Sequence, residues 1–494
     1  MELAEELRAC LHDLSAGGTI EIRENGGRIP SARPLSWEVR GAPAKPLLHL
    51  WSETCNVTRR VLAITDQSEG RVLLAVECFG RTKPQRLEII RLGYERDAKG
   101  LSREEFCEQL RRILVERFPD ETLERVSIAA DLEHSLSRVY ARGISRKGMA
   151  HYAFLAVPDE ETPDALESSL TYGLLWLDRT RQTGGRGNLS GLRLILPKGK
   201  AAELAARIHA IDPRLTVQVY ERDAQRETLE RVDPCADGNI NTWLVPRRES
   251  QLLLDRAAAA IAPLQALELE PDAIRAHAAP QLREVVLRFR GLAFARWSEG
   301  RVTFGMDGHW DELNADSEIT LKQLVLNLQN FRHPLASDTR HPLYRAQAER
   351  WMQMMAMGDV SQIDLALDPT HVYEQVFAQT AGQRGVLDLL CVTRAHRLAI
   401  LELKTVENPD LPLQAGEYWS RICRLQAQGD LARYGYFPGI ELHPDPPIVY
   451  LVAPALRFHP STDVLLRYLK PEMEVIRVGL VESWRRGLRV VMRQ

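Results

Sequence analysis

The sequence predicts a mixed α/β protein, with α+β domains leading into a C-terminal core of α, β, β, β, α, β order. Three observations predict it. Stretches of alternating apolar residues interleave with stretches of helical period along the whole chain. Between residues 341 and 455 the two periods follow one another in the order just given. The composition, 45% hydrophobic and 27% charged, is that of packed domains and excludes disorder or a pure coiled coil. At roughly 100–200 residues per domain, 494 residues make two to four domains. The expected boundaries are an α+β domain over 1–160, a small α/β domain over 161–275, a hairpin-and-helix connector over 276–334, and the core domain over 335–494.

The elements follow in order. Residues 1–13 read as a helix with Leu3, Leu7 and Leu11 on one stripe. Thr19–Arg23 is a short strand. RRVLAIT and RVLLAVECFG flank the turn DQSEG as a hairpin. Residues 102–117 form a helix, capped by Ser102 with Glu105 at the capping-box position. Val126–Ala130 and HYAFLAVP at 151–158 are strands, and PDEETPD after them reads as a linker. GLRLILP, KAAELAARIHAI and LTVQVYE give strand, helix, strand, and Arg256–Leu267 is helical. LREVVLRFRGLAFARW and RVTFG form a further β segment around a SEG turn. ITLKQLVLNLQNF is a helix ending near Phe331. One echo stands out: Val61 to Glu77 spans the same distance as Val386 to Glu402, with Ala63 and Phe79 where Asp388 and Lys404 fall. A decayed repeat or two unrelated hairpins would each produce it.

Several functions are excluded or narrowed. A net charge of -3 does not suit a protein that coats nucleic acid, so any such contact is a local patch. The seven cysteines form no CxxC pair, which argues against a disulfide framework and for a reducing, cytoplasmic setting. No run of about 18 apolar residues could span a membrane, and the acidic N-terminus is unlike a signal peptide. HExxH, a legible Ser/His/Asp motif and a P-loop are absent, so a helicase motor would have to come from another chain. GGRGNLSG at 184–191 reads as a loop. Lys198-Gly199-Lys200 ahead of a helix could offer amides to an anion.

The chemistry concentrates between 385 and 421. GVLDLLCV and RLAILELKTV flank a short RAH turn. A turn centred on Ala395 sets Asp388 opposite Glu402. Facing residues share one side of the sheet with Cβ atoms about 4.5–5.5 Å apart. Lys404, two residues on, points the same way, and Leu389, Leu401 and Leu403 point the other. Two facing carboxylates repel, and in an apolar setting they must share a proton, meet a cation or be offset by a nearby lysine. Mg²⁺, a hard cation taking oxygen ligands, satisfies them directly, and Mn²⁺ is an alternative. Lys404 could then act on an attacking water or on transition-state charge. A solvated lysine–carboxylate pair at a sheet edge is the plainer alternative. On the following helix, Gln414, Tyr418 and Arg421 lie on one face, suited either to a phosphodiester or to packing on the sheet.

Asp388, thirteen residues, then Glu402-Leu403-Lys404 resembles the PD-(D/E)XK nuclease signature. Gln414-Ala415-Gly416-Glu417-Tyr418 is similar to the QxxxY motif of its RecB-like branch. Leu387 replaces the family's proline. The resemblance covers about 115 residues of the 494. It implies a restriction-endonuclease-like fold, metal-dependent cleavage of nucleic acid with DNA favoured, Asp388 and Glu402 as metal ligands, and Lys404 as the catalytic lysine. It adds Gln414 and Tyr418 as active-site support and an acid on the first helix. Glu349 is the expected acid, with Glu374 as its rival. An inactive nuclease-like binding or scaffold protein is the alternative, and an unrelated α/β enzyme with an accidental ELK is a third. Arg345, Arg350 and Arg421 are the expected phosphate contacts, the first two within a basic group that includes Arg332, His333, Arg340 and His341. Arg179, Arg181, Arg186 and Arg193 form a second group. The N-terminal domains would serve a partner protein or a homo-oligomer.

Overall fold

The computed structural model describes residues 3–16, 20–24, 27–29, 36–40, 45–51, 56–68, 70–77, 85–91, 103–129, 139–159, 161–183, 189–224, 226–235, 240–267, 270, 273–306, 309–374, 376–377 and 387–494. Ser102, Arg186, Phe79, Val386 and most of the GGRGNLSG loop lie outside them. The protein is mixed α/β, with four β-sheets among the described residues. The chain divides into two compact units, each built from two separate stretches. One is Met1–Gly100 with Ser250–Met354, and the other is Leu101–Glu249 with Met355–Gln494.

In the first unit, helix Leu3–Ala16 sets Leu7, Leu11 and Leu14 against a seven-stranded antiparallel sheet. Strands Asn56–Ser68 and Arg71–Glu77 are its central hairpin. The next strand, Gln85–Arg91, is antiparallel to Arg71–Glu77. The strand Leu398–Leu403 of the second unit instead has a parallel neighbour. The echo between 61–79 and 386–404 is therefore two unrelated hairpins in different sheet topologies. A five-stranded antiparallel sheet, Ile274–Ala279 through His309–Glu312, packs against helix Glu318–Phe331. Arg332 is fully buried at the end of that helix. Its guanidinium donates to the carbonyls of Arg290 (2.8 Å), Leu343 (2.7 Å) and Ala346 (2.7 Å) and lies over the Trp351 ring. Arg332 is thus a clamp on backbone carbonyls, whereas the sequence alone groups it with surface phosphate contacts.

In the second unit, a six-stranded mixed sheet carries the expected strands near 126, 151, 192 and 217. Ala150–Ala156 and Leu189–Pro197 are parallel neighbours in it. The expected domain boundary at 160/161 cuts through this sheet. Parallel strands require a crossover, and helix Ser169–Thr183 supplies it, with Leu170, Leu174 and Leu177 buried at helical spacing. The PDEETPD run is the start of that crossover and not a linker. Thr162 Oγ1 accepts from the Ala165 amide at 3.2 Å, and Pro163 occupies the first helical turn.

The last sheet runs in the order Leu389–Val392, Leu398–Leu403, Ile448–Pro454, Val475–Leu480, Val490–Arg493. Its outer pairs are antiparallel and its inner pairs parallel. All six residues of Leu398–Leu403 are buried, as suits a central strand covered on both faces. Among the described residues of the expected strand VYEQVFAQ the pairing is by single bridges, Tyr373 with Leu390 and Phe377 with Leu244. Helix Leu411–Ala427 covers one face, with Tyr418, Ile422 and Leu425 in the same core as Ile400, Val449 and Leu451.

Candidate active site

The hairpin turn fixes the carboxylates. His396 adopts a left-handed conformation (φ 61°), and its amide donates to the Thr393 carbonyl at 2.8 Å. This is a three-residue loop closed by a left-handed residue. The ladder then pairs Leu389 with Leu401 and Leu390 with Ile400. One step further along the same register, Asp388 stands opposite Glu402. Asp388 is at the end of its strand, where the ladder stops. Its Oδ2 accepts the Leu403 amide at 2.9 Å, replacing a ladder bond with a side-chain bond.

Glu402 is 1% exposed and Lys404 8% exposed. Lys404 Nζ donates to Glu402 Oε1 at 2.9 Å, and the Lys404 amide donates to the Val452 carbonyl at 2.9 Å. The lysine is anchored by its own strand through Glu402 and by the neighbouring strand Ile448–Pro454 through Val452, and is not the solvated edge residue that a bare ELK would suggest. Tyr418 is buried above them. Burial pushes its hydroxyl well above the usual tyrosine range, and the charges of Glu402, Glu417 and Asp388 add to the rise. Both hairpin carboxylates therefore act on the same hydroxyl from below the helix. Gln414, one turn earlier, has a buried Oε1 that accepts no hydrogen bond from a described residue.

The helix is seated by a second polar cluster. Arg207 is 2% exposed and donates to Asp410 at 2.7 Å and Glu417 at 2.9 Å. Thr171 Oγ1 also donates to Asp410. Burial alone would raise the Glu417 carboxyl, but Arg207 and Arg421 hold it below the usual range. Arg421 donates to Thr242 Oγ1 at 2.5 Å and to Glu417 at 2.8 Å and is 6% exposed. It faces into the protein, which takes it away from the expected role of phosphate contact. Gly416 permits the close approach of the helix: a Cβ there would lie 2.9 Å from Ala210 Cβ.

Glu349, Arg345 and Arg350 belong to the first unit, while the hairpin belongs to the second. Arg345 is exposed, and Arg350 donates to Gln353 at 3.0 Å. Glu374 is half-buried next to the bridging Tyr373. Arg193 is buried between the rings of Phe118 and Tyr152 and bonded to Glu121 at 2.6 Å, so it is structural. Glu221 accepts from the amides of Gly199 and Ala201, which fills the turn expected to receive an anion.

The donor set bears on a metal. Asp388 and Glu402 supply hard carboxylate oxygens from facing strands, and Gln414, one helical turn before Tyr418, has a buried amide oxygen with no donor among the described residues. Mg²⁺ commonly uses one or two protein carboxylates, keeps several waters and takes substrate oxygens, so this set fits it. Among the described residues there is no cluster of three or more His, Cys, Asp or Glu that could hold a metal. A two-carboxylate site is what these residues could build.

No protein-family model, curated protein or solved structure matches the chain.

Proposed function

We propose that the Asp388–Glu402–Lys404 hairpin is the catalytic centre of a Mg²⁺-dependent nuclease on a restriction-endonuclease-like core of PD-(D/E)XK type. The observation that carries this reading is the register: it sets two carboxylates opposite each other and a buried lysine against one of them. Hydrolysis of a phosphodiester needs a cation at the phosphate oxygens, a positioned water and a group that moves a proton or offsets charge. Asp388 and Glu402 would hold the cation. The bound cation supplies charge to the scissile phosphate and lowers the pKa of a water. Lys404 would hold that water on the carboxylate side or donate to the developing charge. Tyr418, kept protonated by burial, would be a donor and never a base. Gln414 Oε1 would accept from a water at the same end of the sheet.

DNA is the favoured substrate class. The reducing cytoplasm is the compartment this reading implies, in keeping with five free cysteines among the described residues. No described helix is long and apolar enough to cross a membrane. The test incubates purified protein with labelled single- and double-stranded DNA and RNA in Mg²⁺, Mn²⁺ or EDTA. Metal-dependent cleavage that Glu402→Gln abolishes is the expected result. Cleavage that is equal in EDTA, or intact substrate in every condition, removes the reading.

A second reading has its own support. Lys404 on Glu402 and the Leu403 amide on Asp388 leave the hairpin internally bonded. Such a set also suits an inactive nuclease-like protein that binds nucleic acid or a partner. Binding without cleavage in the same assay selects it.

A further inference from the structure

We propose that the unit made of Leu101–Glu249 and Met355–Gln494 is a fused pair of one fold, and that only its second half carries a cleavage centre, so that one chain breaks one strand per binding event. The strand-breaking part rests on the nuclease reading above.

The two halves share their topology. Ala141–Lys147 and Ala150–Ala156 form a hairpin, helix Ser169–Thr183 crosses over, and Leu189–Pro197 pairs parallel to the second hairpin strand. A short helix, Ala205–His209, leads to the parallel strand Thr216–Asp223 and the antiparallel edge strand Thr228–Val232. The second half repeats every step: hairpin Leu389–Leu403, helix Leu411–Ala427, Ile448–Pro454, short helix Thr462–Leu466, Val475–Leu480 and Val490–Arg493.

The registers agree residue by residue. Ala153 pairs with Ile144 and Leu192, as Ile400 pairs with Leu390 and Val449. Ile144 pairs outward with Glu124, as Leu390 does with Tyr373. The Val157 amide donates to Ile195 at 2.9 Å, and the Lys404 amide to Val452 at 2.9 Å. By this register Arg142, Leu155 and Val157 stand where Asp388, Glu402 and Lys404 stand. Arg142 is buried and donates to the Ala129 carbonyl. An arginine and two aliphatic side chains can neither hold a cation nor act on a water.

The seam between the halves is reciprocal. Ile211 and Leu469 form an antiparallel bridge. The Asp212 amide donates to the Tyr468 carbonyl, and the Lys470 amide to the Ala210 carbonyl, each at 2.9 Å. Exchanging the halves exchanges these two bonds. A proline follows each, Pro213 and Pro471. Ala210 meets Gly416 of the second crossover helix, and Tyr468 donates to Asp178 of the first at 3.0 Å. This is the self-complementary contact of an isologous two-fold pair. Two equal centres so related could address the two antiparallel strands of a duplex, and here only one half has the donors.

The test uses the full chain on supercoiled plasmid DNA in Mg²⁺ at limiting protein. Open circles should accumulate first, with linear DNA arising only from later independent breaks. Cleavage confined to single-stranded substrates also supports the inference. Linear DNA formed directly from supercoils overturns the one-strand inference and leaves the nuclease reading standing. Intact nucleic acid in both Mg²⁺ and Mn²⁺ overturns both. The seam is tested without activity: an Ile211→Cys/Leu469→Cys chain treated with diamide should yield the joined peptides in mass spectra, since facing strand residues are within disulfide reach. Failure to join them overturns the paired arrangement.

Discussion

At the residue scale, burial turns two ordinary side chains into a test of chemistry. Glu402→Gln keeps volume but weakens a hard-cation ligand, and Lys404→Ala removes the buried ammonium 2.9 Å from Glu402. Each should lower the cleavage rate at least about a hundredfold in single-turnover assays, with nucleic-acid binding retained in a salt titration. Arg207 carries a different prediction, on stability. It is buried against Asp410 and Glu417, so Arg207→Met leaves Asp410 without its cation and Glu417 with Arg421 alone, and should cost about 3–5 kcal/mol in urea melts. Glu417 sets the pH sign. Its folded pKa is depressed, so its stabilising effect is full above the unfolded value near ~4.3 and is lost as pH falls through the folded value. Melting temperature should therefore drop on acidification below about pH 4, and less steeply in Glu417→Gln. The facing of Asp388 and Glu402 was legible in the sequence, because a short turn between apolar runs fixes register. Arg421 was not. Its partners Thr242 and Glu417 include one from the other half of the unit, and no local spacing announces a long-range pair.

At the element scale, the helix Leu411–Ala427 depends on a missing side chain. Gly416→Leu would drive a side chain into Ala210 and should cost about 1–3 kcal/mol, read by thermal or urea unfolding. Ala210→Gly in the same chain should return part of that loss. An unchanged melt for Gly416→Leu would show that the two helices separate easily. Periodicity identified most helices and strands, including the helices Leu3–Ala16 and Glu318–Phe331. It missed the crossover Ser169–Thr183, although Leu170, Leu174 and Leu177 carry the helical spacing, because the acidic, proline-containing run before it looked like a linker. The same oversight hid the parallel pairing of the strands on either side and put a domain boundary through a sheet. VYEQVFAQ shows the opposite error. It has strand composition, yet its described residues make two isolated bridges and no ladder, since pairing is decided by neighbours and not by propensity alone.

At the scale of the whole molecule, the second unit responds to metal if its hairpin holds one. Adding Mg²⁺ or Mn²⁺ to EDTA-treated protein should raise the melting temperature, and the rise should vanish in Asp388→Ala. A shift that survives in Asp388→Ala assigns the metal to other residues. The arrangement of the units could not be read from the sequence, because each is stitched from two distant stretches and no local pattern encodes such a return. That stitching has a consequence for synthesis. Arg207 and Ala210 leave the ribosome well before the helix that covers them, which begins at Leu411. At about 5–20 residues per second the interval is roughly 10–40 s. Throughout it the nascent chain shows an uncovered apolar seam with an arginine at its centre that has Glu167 but still lacks Asp410 and Glu417. Ribosome-bound chains stalled before Leu411 should therefore retain chaperones, and chains stalled well beyond the C-terminal strand should release them.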